Sequence, residues 1–579
     1  VEQQRSGAAE RTKMNSIELR QKFLKYFESK GHKVVPSSSL IPAETDPSVL
    51  FTTAGMHQFK RYYSEPEAAP SASVTTSQKC VRTVDIVEVG DNTHLTFFEM
   101  LGNFSFGYPS MTSSYFKNEA IKMAWDFLIN ELTFDKSRLH ATYFRGENGV
   151  AEDLESKKIL AAIDGLPKIL PQGWDDNFWS LGTENSPGGP TVEFYIDGIE
   201  IWNLVFNEYT FKNGKYVSSE FKGIDTGMGF ERLLAVLNDY ENVYRADLFW
   251  PIIVKIKEIC GKNYEDNTES FRIIADHTKA AVFLINDGVI PSNKERGYVL
   301  RRLIRRAIVK AEQLGISGYF LNSLAEKVFE IYDGVYTSDK KLIADELNKE
   351  ESKFRHTLKE GLKLLNSQKE IDGKILFNLY QSFGLPLEIS VEEAKRRGVE
   401  IDNTTIEQYN NLIAEHQQLS RTASAGMFKG GLSEAGEITT KYHTATHLLL
   451  AALRRVLGKS VFQKGSNITA ERMRFDFSYP DKMTPEQINE VENIVNQKIA
   501  EDLPIEMEEM SYDEAKKSGA MGVFESKYGD KVKVYSIGSF SCEMCGGPHA
   551  KSTGELGHFK IQKEESSSAG VRRIKAVLE

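Results

Sequence analysis

Four cysteines in 579 residues, at positions 80, 260, 542 and 545, are far too few for a disulfide framework, and a reducing, cytoplasmic compartment is expected. No run of about 18 apolar residues occurs, which excludes a helical membrane span. The cationic excess of a nucleic-acid coat is missing too. The 72 Lys and Arg face 82 Asp and Glu for a net charge of -10, so any RNA contact needs a local basic face. Val1 to Lys13 is polar, holds no apolar segment, and reads as an extension ahead of Met14 rather than a signal peptide. Gly458-Lys459-Ser460 lacks the leading glycine of a phosphate-binding P-loop. What remains is 40% hydrophobic and 27% charged, the balance of a folded chain, and its length allows about four domains.

From Met14 to about residue 243 short strand-like runs (Val34 to Pro42, Leu50 to Gly55, Thr96 to Gly107) alternate with helical ones, pointing to an α+β domain with an antiparallel sheet. Residues 244–400 read as mostly helical. There Ser292-Asn293-Lys294-Glu295 fits a capping box ahead of a helix over Arg296 to Leu314. Val299, Leu300, Leu303, Ile304, Ala307 and Ile308 share one face of that helix, and Arg301, Arg302, Arg305, Arg306 and Lys310 the other. Residues 401–440 are expected to be helix and linker, with the linker reading strongest from Glu407 to Thr440. A last α+β segment runs over 441–579.

His443 and His447 stand four residues apart, one above the other on a helix face, the spacing at which two imidazoles bind one ion. Cys542-Glu-Met-Cys545-Gly-Gly-Pro-His549 follows about a hundred residues later. Its glycines let Cys545 and His549 turn to one point, so His443, His447, Cys545 and His549 make a tetrahedral set, and thiolate with imidazole favours zinc. Cys542 is the competing ligand, and a pair of ordinary helix-face histidines is the plainer alternative. The glutamate of H-E-x-x-H is absent, which disfavours peptidase chemistry.

Asp225-Thr-Gly227-Met-Gly229-Phe-Glu-Arg232 passes from a strand-like run into a helix, where backbone can approach a ligand and a guanidinium can meet phosphate. Gln78-Lys-Cys80-Val-Arg82 and the segment His94 to Gly107 read as two strands around a loop, offering an arginine for phosphate and a ring for a base. An ordinary turn and hairpin would use the same residues.

Taken together, LFTTAGMHQFK, QKCVR, TFFEMLGNFSFG, EIWNLVF, IDTGMGFER, RGYVLRRLIRRA, HTATHLL, QKGS, CGGPH and SAGVRRIKAV resemble, in order, the motifs of the alanyl-tRNA synthetase family of class II aminoacyl-tRNA synthetases. The HIGH and KMSKS signatures of class I are absent. The resemblance implies a class II catalytic domain over 14–243, a helical tRNA-recognition domain over 244–400 and a zinc-containing editing domain over 441–579. It implies ATP with Mg2+, L-alanine and tRNA(Ala) as partners. Arg82 would face the α-phosphate, Phe98 the adenine, Arg232 the γ-phosphate and Asp225 the alanine ammonium. Asn203 would contact the carboxylate, and Trp179 and Gly227 would wall the side-chain pocket. Asn293, Arg301, Arg305 and Gln381 would meet the tRNA acceptor stem, and Thr446 and Gln463 would line the editing pocket.

The chain departs from the family pattern at Gln381, where Asp is common, and at Pro548, where Thr is usual. The loop from Arg82 to His94 is short, the linker has no room for the usual β-barrel, and the chain stops after AGVRRIKAVLE, so a monomer is expected. The rival function is a hydrolase that only edits mischarged tRNA, against which Arg82, Asp225 and Arg232 all stand. The editing logic has its own physical basis. An alanine pocket can hardly exclude glycine and gains little against serine, so a second, hydrolytic site is expected.

Overall fold

The computed structural model describes residues 13–43, 49–84, 86–180, 182–425, 436–522, 531–568 and 570–579. The extension through residue 12 and residues 426–435 of the expected linker lie outside them. Two compact units are formed, residues 1–371 with 378–400 and residues 372–377 with 401–579.

The first unit opens with α1 (Ser16–Ser29), β1 (Lys33–Val34), β2 (Ser73–Val81), β3 (Phe97–Tyr108), α2 (Lys117–Asp126), β4 (Leu139–Phe144) and α3 (Leu154–Ala161). There follow β5 (Ile169–Gln172), α4 (Trp174–Asn177), β6 (Phe178–Ser180), β7 (Pro187–Ile196), β8 (Ile199–Lys212), β9 (Lys215–Gly229) and α5 (Phe230–Leu237). The strands form one sheet in the order β1-β2-β3-β9-β8-β7-β4-β5, with β6 beside β7. Its centre is antiparallel, and only the pairs β1 with β2 and β4 with β5 are parallel. Both faces are covered. On one, Trp202 packs against Phe23 and Phe27 of α1, and on the other Phe104 packs against Phe59 of a short 3-10 helix, Gly55–Tyr63. Asn213 and Gly214, both at positive φ, close the β8–β9 hairpin in the turn whose twist matches that of the strands.

Two of the expected strands are corrected. Leu50 to Gly55 makes single backbone bonds, Thr52 to Leu40 and Val81 to Thr52, and leads into the 3-10 helix instead of a ladder. Of Val34 to Pro42, only the first residue pairs with β2 as part of a strand, since Pro36 and Pro42 lack the N–H a ladder needs.

The helical part comprises α6 (Trp250–Cys260), α7 (Thr268–Asn286), α8 (Glu295–Gln313), α9 (Leu321–Ile331), α10 (Lys340–Ser367), α11 (Gly373–Phe383) and α12 (Leu387–Arg396). Apart from the first residues of α11, which belong to the second unit, it lies in the same unit as the sheet, with Phe97 of β3 stacked at 4.0 Å on Phe283 of α7. The expected capping box before α8 does not form. Lys294 is the N-cap and makes no side-chain bond, while the Ser292 N–H donates back to the Gly297 carbonyl. Gly297 permits that fold-back, because a Cβ there would lie 2.2 Å from the Ser292 hydroxyl.

The basic face of α8 is the larger correction. Arg305, Arg306 and Lys310 are buried. Arg301 and Arg305 share Glu350 of α10, Arg302 pairs with Glu388, and Arg306 and Lys310 share Glu392 of α12. This is an internal layer of ion pairs, not a solvated surface for phosphates.

The second unit holds α13 (Asn403–Ala425), α14 (Glu437–Leu457), β10 (Gln463–Ile468), β11 (Met473–Ser478), α15 (Pro485–Ala500), β12 (Ile505–Ser511) and α16 (Tyr512–Lys517). It ends with β13 (Met521–Gly522), β14 (Lys531–Ile537), β15 (Ser541–Met544), β16 (Phe559–Ser568) and β17 (Val571–Leu578). Two four-stranded sheets result, β10-β11-β17-β16 and β12-β14-β15-β13. Leu448, Leu449 and Leu453 of α14 join Phe475, Phe477, Val491 and Val495 in its core. The linker reading from Glu407 is corrected as far as Ala425, which is helical. Ile406, Tyr409 and Ile413 recur at helical spacing in its first half, and Tyr409 is buried.

Candidate active site and candidate metal centre

The register of the large sheet assembles the first site. Glu193 of β7, Asn203 of β8 and Gly227 of β9 are direct cross-strand neighbours. Asp225 stands opposite Val205 and Phe104, and Gly229 opposite Met100. Because alternate residues of a strand share a face, Asn203, Asp225, Gly227, Met100 and Phe98 all look to one side. Arg82, just beyond β2, is exposed and lays its guanidinium 5.1 Å from the Phe98 ring centre, with its Nε donating to the Thr53 carbonyl at 3.2 Å. Arg232 sits in the first turn of α5, half-buried, and pairs with Glu200 at 3.3 Å. Trp179 of β6 packs against the Met56, Phe59 and Phe104 cluster that covers this face.

Asp225 is the electrostatic anomaly. It is buried, no ion pair reaches it among the described residues, and burial alone pushes its carboxyl up to about 7. A desolvated acid in that condition is complementary to a small cation. Gly227 makes room for Met100, whose sulfur would lie 2.8 Å from a Cβ at that position.

Sequence reasoning missed Glu193. It accepts from Asn203 Nδ2 at 2.9 Å and from the Tyr195 hydroxyl at 2.7 Å, and burial pushes its carboxyl up to about 7. An acid alternating with apolar residues in TVEFYI was the available signal. Glu200 and the Thr53 carbonyl, which hold the two arginines, were missed as well. So was the buried support behind β3, where Arg20 pairs with Glu99 at 2.6 Å and Lys279 with Glu231 at 3.2 Å.

In the second unit His443, His447, Cys545 and His549 converge, one ligand atom from each lying within 4.8 Å of the others. Helix α14 stacks the first two. Strand β15 brings the third, since alternation turns Glu543 and Cys545 to one side and Cys542 and Met544 to the other, toward Val532 and Val534. Cys542, half-buried, accepts from the Ser536 hydroxyl at 3.6 Å and is not in the cluster. Pro548 contributes through its backbone, its carbonyl taking the Nδ1 of His443 at 2.9 Å. His443 Nε2 lies 3.3 Å from Cys545 Sγ, and among the described residues the buried Nε2 of His549 has no partner. Burial lowers all three imidazole pKa values, keeping the rings neutral, and pushes the Cys545 thiol up to about 11. Neutral imidazoles around an orphaned nitrogen and a thiol fit zinc, whose charge would hold the sulfur as thiolate.

Residues 18–453 match the class II tRNA synthetases (A), and residues 532–575 match the threonyl and alanyl tRNA synthetase second additional domain. The chain is 45% identical to an alanine–tRNA ligase of Borrelia hermsii, over 98% of this chain and 100% of that one. Identity to the alanine–tRNA ligase of Treponema pallidum is 44%, covering 97% and 98%, and to that of Treponema denticola 47%, covering 97% and 98%. The chain belongs to the alanine–tRNA ligase family. A pyrrolysyl-tRNA synthetase of Desulfitobacterium hafniense aligns with 40% of this chain and 72% of that one, at 12% identity and a TM-score of 0.25.

The alanine–tRNA ligase resemblance also singled out residues away from these two clusters. Asn293 is exposed before α8 and accepts from Arg301, while Gln381 is exposed on α11. Arg305 is buried between Glu350 and the Gly384 carbonyl, so it does not present its charge to a nucleic acid. Thr446 of α14 is buried and donates to the His443 carbonyl at 2.7 Å, a bond within its own helix. Gln463 opens β10, half-buried, and donates to Ser466 at 3.2 Å. Among the described residues no helix is long and apolar enough to cross a membrane.

Proposed function

We propose that the chain activates L-alanine with ATP and transfers it to tRNA(Ala). The observation that carries this reading is Asp225, a desolvated acid without an ion-pair partner, flanked by Asn203 and Gly227 on the face that also carries Phe98. Asp225 would hold the ammonium, and the Asn203 amide, anchored on Glu193, would offer its second N–H to the carboxylate. One carboxylate oxygen attacks the α-phosphorus, the bond to pyrophosphate breaks, and alanyl-adenylate forms. The terminal tRNA hydroxyl then attacks the carbonyl carbon and AMP leaves. Arg82 would stabilise charge at the α-phosphate and Arg232 at the γ-phosphate, so catalysis is positioning and charge stabilisation without a covalent enzyme intermediate. Magnesium enters as companion of the triphosphate, held chiefly by phosphate oxygens.

The second unit would clear Ser-tRNA(Ala) or Gly-tRNA(Ala) by hydrolysis, beside Thr446 and Gln463. His443, His447, Cys545 and His549 would hold zinc, which supplies fixed positive charge for the acceptor end or for a water. The exposed Asn293 and Gln381 are the candidates for reading the acceptor stem. Unpaired thiols at all four cysteines suit a reducing cytoplasm.

Charging of tRNA(Ala) carrying its acceptor-stem G–U pair, and of variants with that pair swapped, tests activation, transfer and recognition together. Alanine-dependent charging that falls when the pair is swapped is the expected result. Absence of both alanine-dependent pyrophosphate exchange and charging would overturn the reading.

A further inference from the structure

The Nδ1 atoms of the three clustered imidazoles are held unequally. His443 Nδ1 is 2.9 Å from the Pro548 carbonyl, and His549 Nδ1 is 3.3 Å from the Thr444 hydroxyl, itself fixed by the Ala550 N–H. Among the described residues the buried His447 Nδ1 makes no hydrogen bond, yet an oxygen of Glu543 lies 3.7 Å away. Glu543 is 2% exposed, and its other oxygen accepts from the Ser541 hydroxyl at 2.9 Å. Strand alternation aims it at the cluster alongside Cys545, and Tyr535, its cross-strand partner, packs 4.2 Å from the His549 ring. Burying a carboxyl group in such a place is costly unless something there uses it.

We propose that Glu543 is the positioning residue of the metal centre, its carboxylate accepting a hydrogen bond from the Nδ1–H of His447 so that Nε2 is left for the ion. One thiolate and three neutral imidazoles leave a bound dication with one uncancelled positive charge, which this carboxylate offsets. The proposal rests on the zinc reading above, and it makes Glu543, not a fifth ligand, the reason His447 is presented in the metal-binding tautomer.

The test uses the full-length chain as wild type, Glu543→Ala and Glu543→Gln, with zinc affinity measured by competition against a chromophoric chelator. Glu543→Ala should bind zinc about 10- to 100-fold more weakly, the range for losing a carboxylate behind a metal-bound histidine. Glu543→Gln should fall between, because its amide oxygen still accepts the Nδ1 proton while the charge is gone. Metal-free melting temperatures should be unchanged or raised in both variants, whereas a merely structural role would lower them. The absorption bands of the cobalt-loaded protein should keep their tetrahedral intensity in Glu543→Gln. Zinc affinity within twofold of wild type in both variants overturns the proposal, and so does loss of melting temperature without loss of affinity. A wild-type chain that binds no zinc would overturn the metal reading itself, a result read from the unsubstituted protein.

Discussion

Asp225→Asn should make the free protein more stable while abolishing its activity. Holding this carboxyl near 7 instead of its ordinary 3.8 disfavours the ionised acid by about 4 kcal/mol, at about 1.4 kcal/mol per pH unit. A carboxyl raised on folding favours the folded state fully below 3.8 and loses that contribution as pH climbs to about 7. Asparagine never ionises, so the variant escapes the loss. Its advantage in unfolding free energy should be about 4 kcal/mol at pH 8 and under about 2 kcal/mol at pH 5. Denaturant midpoints at the two pH values read this directly, and alanine-dependent pyrophosphate exchange reads the cost to function. In the wild type, the alanine ammonium supplies the missing cation, so alanine affinity should rise between pH 6 and pH 8. An equal stability change at both pH values would refute the electrostatic argument. Near-normal exchange by the variant would refute the role of the residue.

Three further outcomes are expected. Arg82→Ala removes an exposed guanidinium, so stability should hold while exchange falls by about 100-fold or more; near-normal exchange would overturn the assignment. Glu193→Ala frees the Asn203 amide from a hydrogen bond at 2.9 Å and should raise the alanine KM about 10-fold with a smaller change in kcat, and an unchanged KM would show that Asn203 is held by other means. Cys545→Ala should leave charging nearly intact while Ser-tRNA(Ala) accumulates; if the variant still clears mischarged tRNA, the metal has no part in editing.

The residues that sequence reading identified are those whose chemistry is local to one short segment. Asp225, Gly227 and Arg232 fall within eight positions that pass from β9 into α5; the strand's alternation sets the facing of the first two, and the helix start places Arg232. His443 and His447 follow from helical periodicity alone. Choosing between Cys542 and Cys545 needed one more fact, the phase of β15, which a single strand of four residues does not reveal without its neighbours. Glu193 was hidden for a related reason. Its importance comes from standing opposite Asn203 on the next strand, and cross-strand register is fixed by hairpins and bulges far from either residue. The capping-box pattern at Ser292 misled because its four residues ignored Gly297, the missing side chain that lets the segment fold back onto the helix.

The cations of α8 mark where such reading stops. Arg301, Arg302, Arg305, Arg306 and Lys310 repeat at helical spacing, and that repeat is the same for a face in water, a face on RNA and a face inside the protein. What decides is the location of the compensating acids. Glu350 lies 45 residues after Arg305 on α10, and Glu392 lies 86 residues after Arg306 on α12, so each cation meets its partner only after separate helices have packed. Once buried, such pairs add little net stability, yet removing Glu350 strands Arg305 in a dry interior, at about 3 to 5 kcal/mol. The layer therefore acts on specificity of packing. It ties α10 and α12 to α8 in one register, and through α8 it fixes the segment on which Asn293 and Arg301 are carried.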